Sequence, residues 1–212
     1  MKKYLLTLVC IACSLTAVVA QSAMTAADFF TSAPQSVFPL LDRNTRLDMV
    51  DYFNSGMTTP SQNKLDGRSV ITEMTPESVT VKMTDASAIQ LVALKGEKGT
   101  VIALINTVAT PALDSSIKFF DSKWAPIKQS DCFAKPGWDE WLTESGRKNK
   151  DEVMMQVPFM LASYRIDPST FALTLTNNLS RFLDKEIFDD ITPYINLQLT
   201  YTWVGSKFKL SK

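Results

Sequence analysis

The chain reads as an α+β protein built on a mostly antiparallel sheet. Three observations predict this. Capping signals and apolar residues at helical spacing are confined to a stretch near the start. From Gly67 the hydrophobic period changes from about four to two. Short strands separated by Pro, Gly and polar turns then recur to the end, with one more helical stretch before the second group of strands.

Taken in order, Thr25-Ala-Ala-Asp28 forms a capping box before Phe29 and Phe30, and Pro34 stops that helix. Thr45-Arg-Leu-Asp48 reads as a second box. It opens a helix whose Leu47, Val50 and Phe53 face the core and which Gly56 ends. Residues 57–66 are polar and read as a loop. Val79, Val81 and Met83 alternate with Ser78, Thr80 and Lys82, a half-buried strand. Strands over 89–94 and 101–108 flank Lys95-Gly-Glu-Lys-Gly99, a hairpin loop; the second is apolar on both faces and belongs at the sheet's centre. A strand over 117–120 follows, then a linker-like stretch, 125–137. Trp138, Trp141 and Leu142 mark a short helix ending at Gly146. Strands over 161–166, 171–175 and 195–203 complete the sheet of seven or more. The expected core includes Phe29, Leu47, Val50, Phe53, Val79, Val81, Val101, Ala103, Ile105, Phe119, Phe171, Leu173, Leu197 and Leu199.

Two segments, Ile71–Thr84 and Ser163–Thr176, each set a strand, a Pro turn and an alternating strand in line, at an offset of 92 residues. That offset also aligns the helix at Arg46–Phe53 with Trp138–Gly146. The pattern is that of two helix-then-sheet halves, 25–124 and 133–212, although unrelated hairpins also resemble one another.

The first twenty residues have the form of a signal peptide. Lys2 and Lys3 precede an almost unbroken apolar run, and Val18-Val19-Ala20 places small residues before Gln21, so cleavage is expected between Ala20 and Gln21. The mature chain, 21–212, is then a single exported domain. It has no later apolar run long enough to cross a membrane as a helix. Cys10 and Cys13 lie inside the apolar run and match a lipoprotein cleavage site poorly. Cleavage before Gln21 leaves Cys132 alone, with no intrachain disulfide.

Composition narrows the chemistry. Lys and Arg number 22, Asp and Glu 22, without a basic run, so nucleic acid is not an expected partner. The chain contains no histidine, which removes Ser-His-Asp and Cys-His catalysis and imidazole metal ligands. No cofactor or metal is expected. Asp42-x-Asn44 begins like a calcium loop, but Arg46 and Leu47 stand where an acidic residue and glycine are needed; helix capping accounts for it better. Ser-x-x-Lys occurs at Ser61/Lys64, Ser115/Lys118, Ser145/Lys148 and Ser206/Lys209, without the companion motifs of serine–lysine acyl enzymes. Asn178-Leu-Ser180 is a glycosylation sequon, relevant only in a eukaryotic secretory path.

Carboxylates cluster at Asp139, Glu140 and Glu144, beside Trp138 and Trp141, and again at Asp184, Glu186, Asp189 and Asp190. Two carboxylates across a cleft with aromatic platforms is the arrangement of a glycan-acting enzyme. The plainer reading is a solvated helix face with both Trp on its buried side. Three functions stay open: a non-catalytic module binding an envelope protein or component, which leads; a carrier of an apolar ligand or lipid; and a carboxylate-based glycan enzyme.

Phe30, Pro34-Gln-Ser-Val-Phe-Pro-Leu-Leu41, Arg46-Leu-Asp-Met-Val-Asp-Tyr-Phe53, Leu65-Asp-Gly67-x-Ser69 and Phe119-x-x-x-Lys123-Trp124 together resemble domain-of-unknown-function family 3256. Its members are exported proteins of Gram-negative gut and oral anaerobes. The resemblance runs from about Asp28 to the C-terminus and implies a periplasmic or outer-surface address. It carries no activity and no functional residue.

Overall fold

A computed structural model describes residues 23–109 and 111–211. The expected signal helix, its cleavage site at Ala20 and Gln21, and Cys10 and Cys13 lie outside the described residues.

The chain starts with α1 (Ala26–Ser32) and α2 (Arg43–Asn54), then runs through a meander of β1 (Ser61–Gln62), β2 (Arg68–Met74), β3 (Ser78–Thr84), β4 (Ser87–Gly96), β5 (Gly99–Ala109), β6 (Leu113–Asp121) and β7 (Pro126–Ile127). These seven form one sheet in chain order, antiparallel throughout. Four short helices follow: α3 (Gln129–Cys132), α4 (Trp138–Trp141), α5 (Glu144–Lys148) and α6 (Lys150–Gln156). Then come β8 (Ala162–Ile166), β9 (Leu173–Asn177), α7 (Lys185–Ile191), β10 (Gln198–Trp203) and β11 (Phe208–Leu210), whose strands make a second antiparallel sheet in the order β11-β10-β9-β8. The α+β class is as the sequence predicts, with its strands divided between two sheets.

Three layers result. One face of the large sheet, including Val79, Val81, Leu91 and Ile102, packs under Phe29, Phe30, Phe38, Leu41 and Met49 of the helical layer. The other face, including Val92, Leu94, Ala103, Ile105, Ile117 and Phe119, packs on Tyr164, Leu173, Leu175, Leu199 and Tyr201 of the small sheet. Strands β4 and β5 therefore bury both faces, as expected of the apolar run at 101–108. Leu142, Val153, Val157, Leu179, Ile191 and Ile195 close a smaller cluster under α5–α7.

The capping box at α1 is as predicted, with Thr25 N–H donating to Asp28 (2.8 Å) and Asp28 N–H to Thr25 Oγ1 (3.2 Å). Helix α2 departs from its prediction. Its cap is Asp42, whose carboxylate accepts from Thr45 N–H at 2.9 Å, so it starts before the expected box. Arg46 and Met49, rather than Leu47, take the most buried stripe; Leu47 is only half-buried, and Val50 and Phe53 pack at the margin. Gly56 ends the helix at φ +70° as expected.

Other boundaries also shift. The loop at 57–66 contains β1, and the linker-like 125–137 contains β7 and α3, with Cys132 and Phe133 in the core. Gly146 does not stop the Trp138 helix: α4 ends at Trp141, and Gly146 lies inside α5. Phe171 sits in a turn at φ +55°, half-buried, ahead of β9. Leu197 is half-exposed because β10 begins only at Gln198, and Ile195 instead bridges Leu142. Val101 packs at the core's edge.

The outer edge of β8 is stitched to the large sheet by side chains. Ala162 N–H donates to Asp114 (3.2 Å), Tyr164 N–H to Ser115 Oγ (3.0 Å) and Ile166 N–H to Gln90 Oε1 (2.9 Å). Gln90 Nε2 donates back to Ile166 O at 2.7 Å. A backbone edge that would otherwise recruit another strand is thereby satisfied internally. Edge strands β1 and β7 have two residues each, and β2 carries a bulge between Ile71 and Glu73. Short and bulged edges pair poorly with a partner strand.

Candidate functional site

The site is an aromatic cleft where the short helices meet the small sheet. Gly137 N–H donates to Glu140 Oε2 (2.8 Å), fixing the first turn of α4. Trp138 and Trp141, three apart on that turn, point the same way. Trp141 is buried in the inter-sheet core and Trp138 is half-buried beside it. Facing them are Tyr164 from β8, Ala162, and Phe159 and Met160 from the segment entering that strand; Asp114 and Lys135 add polar groups. The cleft holds about 240 Å³. At its mouth the exposed rings of Phe159 and Phe182 meet with centroids 5.1 Å apart.

Behind the cleft, Phe133 packs edge-on against Tyr164 (6.0 Å) and Tyr201 (5.2 Å). Burial pushes the Tyr164 phenol up to about 12, with Asp114 adding to the effect. Burial and nearby Glu140 push Tyr201 to about 12 as well. Both ionise more readily in the unfolded chain, near the ordinary value of about 10, so the unfolded chain binds fewer protons above that pH. Stability is therefore expected to fall as pH rises from about 10 to 12. Phenolate absorbance from these two residues should appear together with the loss of near-UV circular dichroism. Ionisation of all tyrosines before unfolding would contradict this.

The structure parts the tryptophans from the neighbouring acids. Asp139 and Glu140 line a different, shallow depression with Arg147, Asn196 and Gln198. Asp139 pairs with Lys150 at 2.7 Å, and the hydrogen bond from that ammonium holds its carboxyl below the ordinary value. Glu140 is the cap of Gly137, and Glu144 pairs with Lys148 at 3.3 Å on the exposed face of α5. Asp184, Glu186, Asp189 and Asp190 are exposed at α7, with Lys185 paired to Asp189. Among the described residues the one carboxylate lining the aromatic cleft is Asp114, and it accepts from Ala162 N–H.

Other sequence candidates have structural places. Ser115 and Lys118 stand on opposite faces of β6, and Ser145 donates to Pro193 O. Asp42 caps α2. Cys132 is buried, which raises its thiol above the ordinary value, and Asn178 donates to Leu113 O. Among the described residues, no group of three or more His, Cys, Asp or Glu side chains is placed to hold a metal, and no helix is long and apolar enough to cross a membrane. Sequence reasoning found Trp138 and Trp141 but missed Asp114, Phe159, Met160 and Tyr164. Only the docking of β8 on β6 brings positions so far apart in sequence together.

A three-layer α+β domain with a single-carboxylate aromatic cleft is thus what fold and site define. The family described as Protein of unknown function (DUF3256) matches residues 18–208, and the chain belongs to it. The fold is similar to that of a solved domain of an uncharacterized protein from Porphyromonas gingivalis W83. The TM-score is 0.75 at 16% identity, covering 89% of this chain and 98% of that one. No curated protein matches the chain.

Proposed function

We propose that the protein is an exported envelope module that binds a partner protein or envelope component through the aromatic cleft, without catalysing a reaction on it. The signal-like residues 1–20 support the address. The observation that carries the binding role is the cleft itself: Trp138, Tyr164, Phe159 and Met160 form a concave apolar surface continuous with the exposed Phe159–Phe182 pair. Exposed aromatic rings beside a small pocket are how proteins anchor a partner's side chain or ring. Its volume, below the usual range of about 300–1,000 Å³ for small-molecule sites, suits one such group better than a whole cofactor. The nearby acids are already engaged as caps and ion pairs, which favours binding over acid–base chemistry.

A photo-crosslinking residue placed at Phe159 tests this in the native host, with the same residue at exposed Asp48 of α2 as the control surface. A discrete adduct from position 159 and none from position 48, lost on Trp138→Ala, is the expected result. Equal adducts from both positions, or an adduct indifferent to Trp138→Ala, would refute the cleft as the binding surface. Fractionation of the same cells checks the periplasmic or outer-surface address.

A further inference from the structure

The helical layer covers only part of the large sheet. The strand register shows where it stops. On the helix-side face, Ala93, Ile102 and Phe120 form one cross-strand row, then Leu91, Leu104 and Lys118, then Ile89, Asn106 and Ser116. The rows turn from apolar to polar along the strands. Val79, Leu91 and Ile102 are wholly buried, while Met83, Ile89 and Leu104 remain 6%, 7% and 8% exposed in the floor of a second cleft. Val37 and Leu40 of the segment between α1 and α2 make its wall. Its volume is about 310 Å³, and it lies on the opposite side of the sheet from the aromatic cleft.

The polar lining is one-sided in charge. Among the described residues Lys118 is the single cation lining the cleft, and no carboxylate lines it or pairs with Lys118. Asn106 and Ser116, directly opposite one another, bring an amide and a hydroxyl one row away. An apolar floor and wall, a lone ammonium and neutral donors at one end fit an anion with an apolar body. We infer that this cleft is a binding site for a small single-chain amphipathic carboxylate, its chain on Ile89 and Leu104 and its head at Lys118. A volume of about 310 Å³, near the lower end of the small-molecule range, suits one short chain better than a diacyl lipid.

The test uses the mature chain, 21–212, with octanoate as probe and octylammonium and n-octanol as charge controls, read by amide chemical shifts and calorimetry. Octanoate should bind and shift the amides of Ile89, Leu104, Asn106 and Ser116, and Lys118→Met should weaken it by roughly tenfold, the scale of one charge-assisted contact. Lys118 is exposed, so that variant should keep its fold, and unchanged circular dichroism checks it. Equal binding of octylammonium, undiminished octanoate binding by Lys118→Met, shifts confined to the Trp138 cleft, or no octanoate binding would each overturn the assignment.

Discussion

Replacing Arg46 by Met is expected to cost about 3 kcal/mol of stability, and Arg46→Ala about 5 kcal/mol. Arg46 is 1% exposed, yet among the described residues no carboxylate is bonded to it. Its Nη1 donates to Phe30 O at 2.9 Å and its Nη2 to Ala33 O at 2.7 Å, the carbonyls at the C-terminal end of α1. Its Nε donates to Asp42 O at 3.3 Å. Those carbonyls have no partner within the helix, and the negative end of α1 favours a cation there. The rings of Phe38 and Phe30 lie 5.2 and 6.0 Å from the guanidinium carbon. Burial pulls the Arg46 pKa down from its ordinary value, so the charge is held at a cost that these contacts offset. Met fills the volume but leaves two buried carbonyls unpaired, at about 1–3 kcal/mol each. Ala adds a cavity under Phe38. Lys is also expected to fail, because one ammonium does not span the two carbonyls as a planar fork does. Urea unfolding should show the midpoint falling at unchanged slope. A loss under about 1 kcal/mol for Arg46→Ala would contradict the account.

Arg46 also shows why the most buried stripe of α2 lies one residue away from the apolar stripe that starts at Leu47. Apolar residues at helical spacing leave arginine out, so Leu47 stands with Val50 and Phe53 in the expected stripe, whereas Arg46 and Met49 take the most buried positions. The sheets were far more legible. Val79, Val81, Ala103, Ile105, Phe119, Leu173 and Leu199 are all buried as alternation predicts, since a period of two leaves little freedom about which face is inward. What alternation does not encode is which face meets which layer. That is why two sheets look like one in sequence and why Asp114, Ser115 and Gln90 gave no sign that they would cap β8. Helix α7 had a readable signal, Ile187, Phe188 and Ile191 at helical spacing, hidden by its acidic residues. Half of the site was legible for the same reason: Trp138 and Trp141 share one turn, whereas the opposite wall comes from non-local packing. At the 92-residue offset β2 and β3 fall on β8 and β9, but the pairing differs: Met74 pairs with Val79, whereas Ile166 pairs with Leu173. Glu73 and Arg165, 92 residues apart, form an ion pair of 2.8 Å. Beyond that hairpin, β4 aligns with the turn and helix at 179–188 instead of a strand.

Gly146→Ala is the second large effect. A glycine at the end of an amphipathic stretch reads as a helix stop, yet this one is required by close approach. A Cβ on Gly146 would lie 2.0 Å from Tyr194 O and 2.9 Å from Tyr194 C, both backbone atoms that cannot swing aside. The approach is locked from both sides. Thr143 N–H donates to Tyr194 O at 2.9 Å, Thr143 Oγ1 donates to Pro193 O at 3.1 Å, and Asn196 N–H donates to Trp141 O at 2.7 Å. A methyl group at 146 must push α5 off the 192–196 segment and break several of these bonds, so the expected cost is about 3 kcal/mol, the upper end for overpacking. Gly56→Ala is the natural comparison. It also carries a conformational penalty, at φ +70°, but nothing lies within 4 Å of its Cβ, so about 1 kcal/mol is expected. If the two variants lose equal stability, the contact with Tyr194 is not what selects glycine. If Gly146→Ala loses far more and also disturbs Trp141 fluorescence, the α5–Tyr194 contact is what sets the position of α4. The wall of the aromatic cleft then depends on a residue that never touches its contents.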